Sequence, residues 1–130
     1  EKAVALLKKQ LELQPGYYPL EMQLANAYRL NNEPKASAKV IAAIAKKRPE
    51  DPYVWFELAE VRGLAGDKLG VHRARAEFFQ LVGNFSQAKK QLKFALQMTQ
   101  QQFAVSSLIQ QRIEEITQIQ HTSKNAMESL

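Results

Sequence analysis

Pro15 and Pro49 stand 34 residues apart, and the residues between them repeat a pattern. That is the length of one helix–turn–helix unit that stacks on copies of itself, which leaves the chain few other folds. With Pro15 closing one unit, the next runs from Tyr18 to Asp51. Its signature positions hold Leu24, Ala25, Tyr28, Ser37, Ile41, Ile44 and Pro49. The following unit starts at Pro52 and supplies Trp55, Leu58 and Ala59. Leu24–Ala25 and Leu58–Ala59 are large–small pairs. The small residue lets a partner helix approach, and the large one fills the gap beside it. The segment before Pro15 reads as the second helix of an earlier unit, with Ala3 and Leu7 in its signature positions.

A further match is out of phase. Ala76, Phe79, Gly83 and Ala88 occupy the small, aromatic, turn and small positions of a unit that begins near Leu69, only 17 residues after Pro52. The helix after Gly66 is therefore expected to serve twice, as second helix of one unit and first helix of the next. Over roughly residues 1–100 the chain resembles the tetratricopeptide repeat family. The resemblance implies an all-α fold, an α–α superhelix of helical hairpins.

Seven helices are predicted, over 1–13, 18–31, 34–47, 52–65, 68–82, 85–99 and 103–120. Their boundaries follow turn chemistry. Pro15-Gly16 ends the first helix, Pro34 and Pro52 stand at helix starts, and Asp51 is an N-cap. Gly66-Asp67 and Gly83-Asn84 supply residues that tolerate positive φ. The last helix carries Val105, Leu108, Ile109, Ile113, Ile116 and Ile119 at helical spacing, with Gln and charge elsewhere. It carries no repeat signature and is expected to cap the stack, or else to form a homodimer seam. Residues 1–120 are thus one helical repeat domain, and 121–130 a polar, frayed tail. The chain starts inside a helical pattern without an initiator Met, and reads as a fragment of a longer protein.

Composition narrows the function classes. The formal net charge is +5, and no cysteine is present. Disulfides, thiolate metal sites and a cysteine nucleophile are excluded. The basic excess sits in residues 1–50, and Lys46-Lys47-Arg48 is the only basic run. At a helix C-terminus such a run opposes the helix dipole. Nucleic-acid binding requires a longer basic face with interleaved aromatics, so no nucleic-acid partner is expected. No segment approaches the roughly 20 apolar residues of a membrane span.

Catalytic arrangements are missing. His72 lacks the partners of a His-Glu-x-x-His zinc site and reads as a helix-surface or interhelix histidine. Glu114 and Glu115 are adjacent on one helix and point apart. No Gly-rich phosphate loop occurs. Neither catalysis nor a cofactor is expected of this fragment.

In tetratricopeptide arrays the first helix of each unit lines a concave groove, so the resemblance assigns groove positions. They are Met22, Asn26 and Arg29 in one unit, Phe56 and Glu60 in the next, and Arg73, Glu77 and Gln80 in the out-of-phase unit. Asn26 resembles the family's peptide-holding Asn, whose amide bonds a backbone N–H and C=O together. Arg29 suits a carboxylate. The paired lysines of chaperone carboxylate clamps are not reproduced. The expected partners are protein or peptide segments, extended or helical.

The stretch from His72 to Leu96, His-Arg-Ala-Arg-Ala-Glu-Phe-Phe-Gln-Leu-Val-Gly-Asn-Phe-Ser-Gln-Ala-Lys-Lys-Gln-Leu-Lys-Phe-Ala-Leu, is more particular. With Gln111-Arg-Ile-Glu-Glu-Ile116 it resembles the C-terminal repeat domain of periplasmic beta-barrel assembly-enhancing proteases. That resemblance implies a periplasmic location. It also implies a separate zinc metalloprotease domain, with zinc only there, against which the repeats pack. Its implied partners are the outer-membrane barrel assembly machinery and its substrates. The alternative is a stand-alone scaffold or assembly protein with no enzyme attached.

Overall fold

A computed structural model describes all of residues 1–130. It contains seven helices and no strand: α1 (Lys2–Leu13), α2 (Tyr18–Leu30), α3 (Pro34–Lys47), α4 (Pro52–Leu64), α5 (Lys68–Leu81), α6 (Phe85–Gln97) and α7 (Phe103–Glu128). Each helix packs on the one before it and the one after it. Short connections between them produce the all-α superhelix of antiparallel hairpins.

The turns come in two kinds, and their order defines the architecture. Three close a hairpin through a six-residue backbone hydrogen bond. The N–H groups of Glu33, Asp67 and Asn84 donate to the carbonyls of Tyr28, Arg62 and Phe79 at 2.8, 2.9 and 2.8 Å. In each, the residue before the donor is left-handed: Asn32 at φ 60°, Gly66 at 79° and Gly83 at 82°. This is the Schellman ending, which satisfies carbonyls that the helix leaves open. The other three turns join one unit to the next through a shorter bond. Tyr17, Asp51 and Gln102 donate to Gln14, Arg48 and Thr99 at 3.2, 3.2 and 2.9 Å.

Regular repetition alternates the two kinds. Around α5 the hairpin turn is used twice in succession. α5 is therefore second helix to α4 and first helix to α6, which is the double service expected from the sequence. α7 then follows a unit-joining turn. It packs on α6 from the position of a first helix.

The core divides where the phase slips. One buried cluster gathers Ala25, Ile41, Ile44, Val54, Leu58 and neighbours up to Ala74. The other holds Ala76, Ala88, Leu92, Ala95, Ile109 and Ile116. Ala74 and Ala76 are two positions apart on α5, and so roughly 200° apart around it at 3.6 residues per turn. Both are fully buried. Only a helix with small residues on two opposite faces can be packed from both sides at close distance.

One expectation changes, and one open alternative closes. α7 runs to Glu128, eight residues beyond the expected end at 120. No Gly or Pro interrupts residues 121–128, and Asn125 Nδ2 reaches His121 Nε2 one turn away at 3.2 Å. The segment expected to fray is therefore helical, although its side chains are exposed. His72 is an interhelix residue: its Nδ1 lies 2.8 Å from Gln91 Oε1, and its ring rests on Phe94 of α6 at 5.4 Å between centroids.

Candidate functional site

A cleft opens between α2 and α4 over α3. Met22, Gln23, Asn26 and Arg29 form one wall, Tyr53, Glu57 and Glu60 the other, and Ser37 and Ile41 lie on the floor. The floor is held by a buried hydrogen bond. Ser37 Oγ donates to the Ala25 carbonyl at 2.6 Å, drawing α3 against α2 where Ala25 presents no side chain beyond Cβ. Asp51 sets the opposite wall, since its side chain accepts from Tyr53 N at 3.0 Å and starts α4. Outside the walls, Lys47 pairs with Glu21 at 3.1 Å, and the Arg48 guanidinium covers the Tyr18 ring at 3.7 Å. These contacts tie the end of α3 to the start of α2.

Arg29 Nη2 donates to Asn26 Oδ1 at 2.7 Å, one turn apart on an exposed face. The contact occupies one lone pair of the Asn26 oxygen. The amide nitrogen keeps both donors, and the oxygen one further acceptor site. The cleft therefore offers an aligned amide beside a guanidinium, facing two carboxylates. It presents hydrogen-bonding groups on both walls without an enclosed apolar chamber.

Of the expected groove residues, Met22, Asn26, Arg29 and Glu60 come together here. Phe56 does not line this cleft. Its ring packs on Phe78 of α5, 5.7 Å away and tilted by 57°. One residue along a helix is about 100° of rotation, so Glu57 faces inward where Phe56 was expected. Tyr53, one turn earlier on the same stripe, was also missed. The i, i+4, i+7 spacing of Tyr53, Glu57 and Glu60 was the available signal.

Arg73 and Glu77 lie elsewhere. They line a second cleft, between α5 and α7 over Leu92 of α6. They also line an adjoining cleft with Trp55 and Arg62 of α4. Trp55 and Arg62 sit about half a turn around α4 from Tyr53, Glu57 and Glu60. The second cleft thus opens on the opposite side of α4 from the first, and the eight expected residues do not form one groove. The phase slip is the reason, because it turns the first-helix side of α5 outward relative to α2 and α4. Gln80, one turn further along α5, is half-buried and lines neither of these clefts.

Glu77 is engaged by α7. Arg112 Nε and Nη2 reach its two carboxylate oxygens at 2.9 and 2.7 Å, and Arg112 Nη1 reaches Glu115 at 3.3 Å. The bidentate bond to Glu77 holds the Arg112 pKa above its ordinary value against the opposing effect of burial. Arg62, more buried and bonded to the Gly70 carbonyl at 3.2 Å, is shifted down by desolvation.

No group of His, Asp and Glu side chains is gathered as a metal site, and no helix is long and apolar enough to cross a membrane. The tetratricopeptide repeat family model matches residues 1–60. That span covers α1 to α3 and most of α4, and includes every element of the first cleft. No curated protein matches the chain.

Proposed function

We propose that this domain is a protein-interaction module that grips an extended segment of a partner protein in the cleft between α2 and α4. The observation that carries the reading is the Asn26–Arg29 pair, aligned at 2.7 Å on the wall of an open cleft whose opposite wall holds Glu57 and Glu60. An extended backbone carries unpaired N–H and C=O groups at regular spacing. Asn26 can bond one of each. Glu57 and Glu60 favour a basic side chain on the α4 side, and Arg29 an acidic one on the α2 side.

The parent protein, in this proposal, is a periplasmic zinc metalloprotease of outer-membrane protein quality control. The domain delivers barrel substrates or docks the assembly machinery, and does no chemistry itself. Support comes from the resemblance carried by the 72–96 stretch and by the Gln111–Ile116 segment. The parent's remaining sequence tests this part. A signal peptide with a His-Glu-x-x-His helix is the expected finding, and a parent with neither is the stand-alone scaffold.

For the cleft itself, the test is Asn26→Ala combined with Arg29→Ala. Both side chains are exposed, so the pair should lose partner capture while helicity and melting stay nearly unchanged. Unaltered capture by a folded double variant rejects the cleft.

A further inference from the structure

The second cleft contains one ionised side chain that nothing in the molecule answers. Arg112 holds both Glu77 and Glu115. Asp67 caps α5 through the Gly70 N–H at 2.9 Å and stands beside Arg62, which bonds the Gly70 carbonyl. Arg73, exposed and lining both adjoining clefts, makes no ion pair and no side-chain hydrogen bond. On the α7 wall of the same cleft, Leu108 is 56% exposed, although it belongs to the apolar stripe of that helix.

We propose that the cleft between α5 and α7 is a second docking site, taking a partner segment that carries a carboxylate next to an apolar side chain. The carboxylate pairs with Arg73, and the apolar side chain covers Leu108. Charge decides the partner's sign. The three acidic side chains of these clefts already have internal partners, so a basic segment finds no free carboxylate and meets Arg73. An acidic one completes the only open valence, and a guanidinium suits a carboxylate bidentately. The bidentate Arg112–Glu77 bridge fixes α7 at the far wall, so the site exists before its ligand arrives. Because this cleft opens on the opposite side of α4 from the first, two segments can be held at once. The inference rests on the reading of the domain as a protein-interaction module, but on different residues.

The probe is a fluorescein-labelled peptide of alternating Leu and Glu, compared with its Leu/Gln counterpart, titrated into the whole 130-residue domain. Binding is followed by anisotropy and by amide chemical shifts. The acidic peptide is expected to bind about tenfold tighter than the Gln peptide. It should shift amides of 69–81 and 103–115 and leave those of α2 in place. Arg73→Gln should remove the difference between the peptides, Arg73→Lys should keep part of it, and Asn26→Ala with Arg29→Ala should leave it whole. The proposal is overturned by equal binding of the two peptides, by preference surviving in Arg73→Gln, or by shifts confined to α2 and α4. The last result places the acidic peptide in the first cleft. Loss of the first-cleft partner in Asn26→Ala/Arg29→Ala is read separately, so either site can fail alone.

Discussion

Ala25 and Ser37 carry the contact on which the first cleft is built. Ala25 is 1% exposed, and its carbonyl accepts from Ser37 Oγ. Ala25→Leu must push α2 and α3 apart and should lower stability by about 1–3 kcal/mol through overpacking. Ser37→Ala removes one buried hydrogen bond but leaves the Ala25 carbonyl within its own helix ladder, for a smaller loss of about 1 kcal/mol. Urea midpoints separate the two. Gly70 is a second such point. A Cβ there would collide with the Asp67 carboxylate and lie 2.7 Å from Arg62 Cδ. Gly70→Ala should displace the cap of α5 and cost about 1–3 kcal/mol. The large–small pairs were legible in the sequence because close packing demands them. The Gly70 contact was not, since it depends on where the Arg62 side chain lies across the α4–α5 turn.

Among the elements, the turns at Gly66 and Gly83 were legible in the sequence, because positive φ selects a short list of residues. Asn32 is the only non-glycine in that conformation. Asn32→Gly should therefore raise stability by up to about 1 kcal/mol, measurable as a shift in the urea midpoint. The helix boundaries came within a residue or two except in α7. Its polar residues beyond 120 signalled solvent exposure, and exposure was read as disorder. A helix without breakers can continue into solvent on local hydrogen bonds alone. Those eight residues bury nothing, so deleting 121–130 should cost helicity in circular dichroism with a melting shift of only a degree or two. Deleting α7 whole strips the cover from Leu92, Ala88 and Ala95, which lie in one cluster with Ile109 and Ile116. That deletion should unfold α6 with it.

For the whole molecule, the consequence of the slip at α5 is sidedness. The sequence showed the slip, as a unit starting 17 residues early. It did not show that the slip turns the later first-helix face to the other side, because that follows from how α5 is packed between two cores. The expected groove residues therefore separate into Met22, Asn26, Arg29 and Glu60 on one side and Arg73 and Glu77 on the other. Phe56 joins neither cleft and stacks on Phe78 instead. A small interaction module with clefts on two faces can bridge partners, which a regular array of this length, lining one concave surface, does less readily.

The claim that the α2–α4 cleft holds a partner segment is tested most directly by photocrosslinking in cells from Gln23 on its wall, compared with Lys39 on the exposed side of α3. A defined adduct is expected from Gln23, none from Lys39, and loss of the Gln23 adduct in Asn26→Ala/Arg29→Ala with unchanged melting. An adduct that survives the double variant, or that forms equally from Lys39, contradicts that claim.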